Sequence, residues 1–201
     1  MNLTMPQDEE ILSSLYTSII EGDADFPAIK TAGDQYKQQV RLQLSVYQFN
    51  QRELDEREYQ LAQAIFREEI AVRKLVNHTG DWQNYTVDVL YLSAFVLSGF
   101  REIANLSLFL RAKHLDFDTL IGFDETYLLC FDKTDVLAYT DEQLPASLQQ
   151  QVQRLQERYR ADTTGEIARE VADWQRAKIQ YFQAFRFPIR SAYARAQLGL
   201  E

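Results

Sequence analysis

Scarcity of helix breakers constrains this chain more than any other feature: seven glycines and four prolines are spread over 201 residues. Most of them, Gly22, Pro27, Gly33, Gly80, Gly99, Gly122, Pro145, Gly165 and Pro188, fall between segments of helical length. Within those segments apolar residues recur every three or four positions, the period of one helix face. Over 8–21 the stripe is Ile11, Leu15 and Ile19, after an acidic first turn that suits the helix dipole. Over 53–77 it is Leu54, Leu61, Ile65, Val72 and Val76, closed by His78, Thr79 and Gly80. Residues 85–98 and 100–111 form two apolar helices around Gly99, with a composition suited to burial on both faces.

Further on, Leu144, Leu148, Val152, Leu155 and Tyr159 mark a helix over 142–160, with Pro145 tolerable in its first turn. Ile167, Val171, Trp174, Tyr181 and Phe185 mark another over 166–185, for which Thr163, Thr164 and Gly165 offer capping chemistry. A final piece, 189–198, follows Pro188. Residues 34–50 are ambiguous, because Val40, Leu42, Leu44 and Val46 alternate like a strand while Tyr36, Val40, Leu44 and Tyr47 fit a helix. No other segment alternates cleanly and no hairpin turn offers a partner strand, so helix is the expectation. The predicted fold is all-α, an irregular antiparallel helical bundle or a short stack of helical hairpins. A single helical domain is expected over 1–201, with 1–33 as a candidate peripheral N-terminal segment.

Composition places the chain among globular proteins, at 46% hydrophobic and 25% charged residues, and excludes a disordered chain. The lone cysteine, Cys130, lies among Leu128, Leu129 and Phe131 and reads as a small buried hydrophobe in a reducing compartment. The start MNLTMPQDEE lacks the basic and apolar runs of a secretory signal, so a cytoplasmic location is expected. Residues 87–110 are interrupted by Asp88, Arg101, Glu102 and Asn105, so no membrane span is expected.

Motifs for chemistry are sparse. Leu75 stands three residues before His78 and Arg111 three before His114, so neither histidine has the Glu-x-x-His register of di-iron bundles. Glu53 and Glu56, followed by Glu68 and Glu69, have the spacing with which helical nucleotide pyrophosphatases hold magnesium, but Glu53, Glu56, Arg57 and Arg67 lie among polar residues and fit a solvated helix face better. Asp116-Phe117-Asp118 resembles the Asp-x-Asp start of certain phosphatases without the hydrophobic strand that must precede it, and Leu120 breaks any calcium-loop ladder. Phosphate-binding glycine loops, a serine-hydrolase elbow and Cys-x-x-Cys are absent from the sequence. No cofactor is expected. The residues favour a non-enzymatic protein, and a metal-dependent phosphohydrolase or nucleotide pyrophosphatase and a structural homo-oligomer subunit are the alternatives.

Charge placement is more informative. The net charge is −9, and its sources are two: Asp8, Glu9, Glu10, Glu21, Asp23 and Asp25 before any basic residue, and Asp116, Asp118, Asp124, Glu125, Asp132, Asp135, Asp141 and Glu142 against Lys133 alone. The remainder is net basic, with Arg186, Arg190 and Arg195 in the tail, which could pair with the acidic segment of its own chain or of a second copy. Such an acidic field disfavours nucleic acid and suits a protein partner with a basic surface. The second segment interleaves its carboxylates with Phe117, Phe123, Tyr127, Phe131 and Tyr139. Acids around an aromatic anchor can both steer and hold a partner. The candidate partner-binding residues are Asp116, Asp118, Asp124, Glu125, Tyr127, Asp132 and Asp135; the alternative is aromatics turned to the core and carboxylates turned to water.

Leu110-Arg111-Ala112-Lys113, Asp116-Phe117-Asp118-Thr119 and Gly122-Phe123-Asp124 resemble a segment of small acidic all-helical bacterial proteins, some of which are immunity partners of secreted toxins. The resemblance covers about 30 residues, from Arg101 to Cys130. It implies a protein that neutralises a toxin by covering a basic face, with no catalytic chemistry of its own. A homodimer stays open.

Overall fold

Helical periodicity is realised throughout a computed structural model that describes residues 16–22, 26, 29–30, 35–50, 55–80 and 86–184. Its helices are α1 (16–21), α2 (Gln35–Asn50), α3 (Glu56–Thr79), α4 (Val87–Ser98), α5 (Leu106–Lys113), α6 (Phe117–Gly122), α7 (Lys133–Ala138), α8 (Ala146–Ala161) and α9 (Glu166–Ala184). Short 3-10 turns stand at Ile103–Asn105 and Glu125–Leu129. No strand occurs among the described residues, so the chain is all-α. Expectations for Ile11, Leu15, Leu54, Phe185 and the piece 189–198 lie outside the described residues.

The chain divides into two compact units, Met1–Leu97 with Ala184–Glu201, and Ser98–Gln183. In the first unit α2 is a helix, and its strand-like alternation has a simple cause. Residues 40–45 are all buried, so the helix is covered on every side and selection for one apolar face is lost. Leu44 and Val40 join Tyr16, Ile19, Phe26, Ile29, Leu61 and Ile65 in one apolar cluster. α2 packs against α3, which opens on a capping box: the Asp55 carboxylate accepts from the Glu58 amide at 2.9 Å, and the Glu58 carboxylate accepts from the Asp55 amide at 2.7 Å. It closes on Gly80, whose left-handed φ of 74° lets its amide donate to the Val76 carbonyl.

Inside this unit lies an ion pair with both side chains fully buried: Arg41 Nε donates to Glu69 Oε1 at 2.5 Å. Arg41 Nη1 also donates to the Ile29 carbonyl, and Gln38 Nε2 to Glu69 Oε2. Arg57 donates to the Ile20 and Gly22 carbonyls at the end of α1, a cation placed where the helix dipole is negative, and its guanidinium lies 4.3 Å from the Phe26 ring centroid.

The second unit has a different interior. Phe109 on α5 stacks on Tyr127 at 5.9 Å between centroids and lies 5.8 Å from Phe131, while Tyr127 meets Phe123 at 4.5 Å and the edge of Trp174 at 4.8 Å. Leu148, Val152, Leu155 and Tyr159 line the buried face of α8, as their spacing predicts, and the Tyr159 hydroxyl reaches the Leu129 and Phe131 carbonyls.

Three expectations need correction here. The apolar helix predicted from Phe100 starts at Leu106, because Arg101 takes a left-handed φ of 56° and a 3-10 turn intervenes. On α9 Phe182, rather than Tyr181, completes the buried stripe, since it lies eleven residues, about three turns, beyond Val171 and returns to the same face. The start of α9 is capped by Asp162, not by Thr163 or Thr164: its carboxylate accepts from the amides of Thr164, Glu166 and Ile167. No described helix is long and apolar enough to cross a membrane.

Candidate functional site

The acidic segment begins where α5 ends. Asp116 caps α6: its Oδ1 accepts from the Thr119 amide at 2.9 Å, and its own amide donates to Thr119 Oγ1 at 3.0 Å. At the other end the nearly buried Lys113 ammonium donates to the Leu120 carbonyl at 3.1 Å and the Phe123 carbonyl at 2.8 Å. A cation at these carbonyls satisfies acceptors that a helix end leaves open and complements the dipole. A helix of only six residues is thus fastened at both ends.

What α6 buries is little. Thr119 is its one buried residue, whereas Phe117 is 73% exposed, Ile121 69% and Leu120 44%. Positions 117, 120 and 121 share one face, an arc of about 100° at about 100° per residue, and Thr119 points nearly opposite. Asp118 borders the arc and is exposed, and Glu125 follows in the next turn, also exposed.

The remaining candidates separate into three groups. Asp124 is a structural clamp, since Oδ1 accepts from the Thr126 amide at 3.0 Å while Oδ2 accepts from Trp174 Nε1 at 2.7 Å and lies 3.8 Å from Lys178 Nζ. Asp132 and Asp135 are exposed at the start of α7. Tyr127 must be withdrawn as a partner anchor: it is 1% exposed at the centre of the aromatic cluster, and a ring enclosed by Phe109, Phe123 and Trp174 has no face left for a partner. Phe123 and Phe131 are buried with it, so the exposed aromatic ring on this segment's first helix is Phe117. The sequence reading named Phe117 without distinguishing it, because each turn of 116–131 contains apolar residues and no period shows which face is spare.

The alternative magnesium ligands do not converge. Glu69 is locked to Arg41 in the core, and Glu56 lies thirteen positions away on the same helix, about 20 Å along its axis. Glu56 accepts from Gln60, Glu68 is half-buried and Glu53 lies outside the described residues. No group of three or more His, Cys, Asp and Glu is arranged to hold a metal ion among the described residues.

Buried Cys130 is a poor nucleophile in this setting. Desolvation pushes its thiol up to about 12 against the weaker opposing effects of Ser98 and Arg101, and its sulfur lies 3.3 Å from the Thr126 carbonyl. His114, beside the Lys113 ammonium, is held below the usual histidine range by partial burial and by that charge. Comparison of the chain with protein-family profiles, with curated proteins and with solved structures finds no match to any of them.

Proposed function

We propose that this chain is a non-enzymatic binding protein whose acidic surface over 116–142 takes a protein partner with a basic face. The observation that carries the reading is the solvent-facing apolar strip of α6, set within a segment holding eight carboxylates and one lysine. Side chains like Phe117 and Ile121 bring no burial energy to the fold when left in water, while an apolar strip rimmed by charge suits an interface core and rim. The one lysine of the segment, Lys133, donates to the Asp162 carbonyl and so serves the fold.

A secreted toxin with a basic functional face is the partner class implied by the resemblance over 101–130, and neutralisation by an immunity protein is the corresponding role, in the cytoplasm of the producing cell. Steering between opposite surface charges would then speed association and weaken with salt. Titration calorimetry with the products of genes adjacent to its own, at low and at physiological salt, tests this reading. A salt-weakened complex that blocks the partner's activity is expected. Failure of every such product to bind would remove the immunity role.

A further inference from the structure

The geometry of α6 points to a defined docking mode within the acidic-surface reading, on which it rests: we infer that α6 is a preorganised platform for a basic amphipathic helix. Phe117 and Ile121 act as the apolar anchors of that platform, and Asp118 and Glu125 as its charged rim.

Three observations lead there. First, α6 is anchored from behind. The Asp116–Thr119 capping box fixes one end and the Lys113 ammonium the other, and Thr119 is turned inward. A partner therefore meets a helix already formed, and the ordering cost that weakens binding by flexible segments is small. Second, the three exposed apolar residues form a single strip rather than a scatter, with an area on the order of a few hundred Å², the size at which patches mark binding sites. Aromatic rings dominate such hot spots, and Phe117 is the most exposed large hydrophobic residue of those described.

Third, the surrounding charge selects the occupant. A second copy of this chain docking through the same face would bring its own Asp118 and Glu125 against these, and like charges across an interface disfavour self-association. Anionic lipid headgroups and nucleic-acid phosphates are repelled for the same reason. An amphipathic helix with lysine or arginine flanking an apolar stripe satisfies both features at once, since its stripe covers Phe117, Leu120 and Ile121 while its cations meet the rim.

The test uses the full chain and a fluorescein-labelled amphipathic helical peptide of lysine and leucine, about 18 residues long, followed by fluorescence anisotropy at several salt concentrations. A scrambled peptide of equal composition is the control. The native chain is expected to bind the amphipathic peptide more tightly than the scrambled one, with affinity falling as salt rises. Phe117→Ser with Ile121→Ser is expected to weaken binding at least about tenfold with the circular dichroism spectrum unchanged. Asp118→Asn with Glu125→Gln is expected to weaken it several-fold, on the order of the value of rim charges, and to flatten the salt dependence. If the serine pair binds as the native chain does while the amide pair is impaired, the anchor assignment is wrong and the acidic-surface reading survives. If the native chain ignores both peptides, or neither pair changes its binding, the basic-partner reading falls with it.

Discussion

Around Arg41 and Glu69 the first unit encloses a guanidinium, a carboxylate and the Gln38 amide in a helix pair, whereas around Phe109 and Tyr127 the second encloses five ring contacts and an indole nitrogen bonded to Asp124. The first interior depends on charge balance, because the guanidinium cannot shed its proton and the carboxylate beside it is fully buried. Among the described residues Arg41 Nη2, Ser45 Oγ and Gln48 Oε1, at successive turns of one face of α2, find no hydrogen-bond partner. The second interior depends on ring volume. Its aromatic content is so large that the cluster closes without Phe117, Leu120 and Ile121, which are left on the outer side of α6. A polar core specifies how α2 and α3 register; an apolar surplus leaves material for a surface.

The sharpest way to break this contrast is to remove one member of the buried pair. Glu69→Ala leaves Arg41 uncompensated and is expected to cost about 3–5 kcal/mol in urea unfolding followed by circular dichroism. Replacing both, Arg41→Met with Glu69→Met, converts the first interior to the second kind and is expected to be neutral or stabilising by about 1–4 kcal/mol. A double variant as unstable as the single one would mean that the pair contributes more than it costs.

In the second unit Phe109→Ala removes the ring that meets Phe123, Tyr127 and Phe131, and a loss of about 3–5 kcal/mol is expected from the same measurement. Retention of near-native stability would deny Phe109 its central place. A smaller effect is expected at Asp162. Desolvation is the largest single effect and works against its ionised form, but hydrogen bonds from the amides of Glu166, Ile167, Gly165 and Thr164 together outweigh it and hold the carboxyl below the usual range. A depressed carboxyl contributes stability above its unfolded value, near pH 4, and loses it as pH falls through the lower folded value. Asp162→Ala should therefore lower Tm at neutral pH by on the order of a few °C, and the gap should close in acid. A gap that widens in acid would reverse the sign assigned to this group.

How much of this could be read from the residues depends on where local pattern and tertiary context agree. α3 was legible because its stripe is periodic and Gly80 ends it, and α8 because its four apolar spacings are regular. α2 was ambiguous because burial on all sides erases amphipathicity, and the ion pair of Glu69 was not legible because its partner Arg41 is twenty-eight positions away. The acidic segment was legible as charge but not as surface. Burial of Tyr127 depends on Phe109 and Trp174, the latter far along the chain, and exposure of Phe117 depends on Lys113 holding α6 from behind. A cap such as Asp162, four residues before its helix, was missed because Thr163, Thr164 and Gly165 stand nearer the boundary.

The apolar face of α6 is surplus to the fold if its exposed side chains contribute nothing to stability. The test is the unfolding free energy of Phe117→Ser with Ile121→Ser, measured in urea against the native chain. A change within about 0.5 kcal/mol is expected, as for surface substitutions. A loss of about 2 kcal/mol or more, the size expected for truncation of core residues, would contradict it.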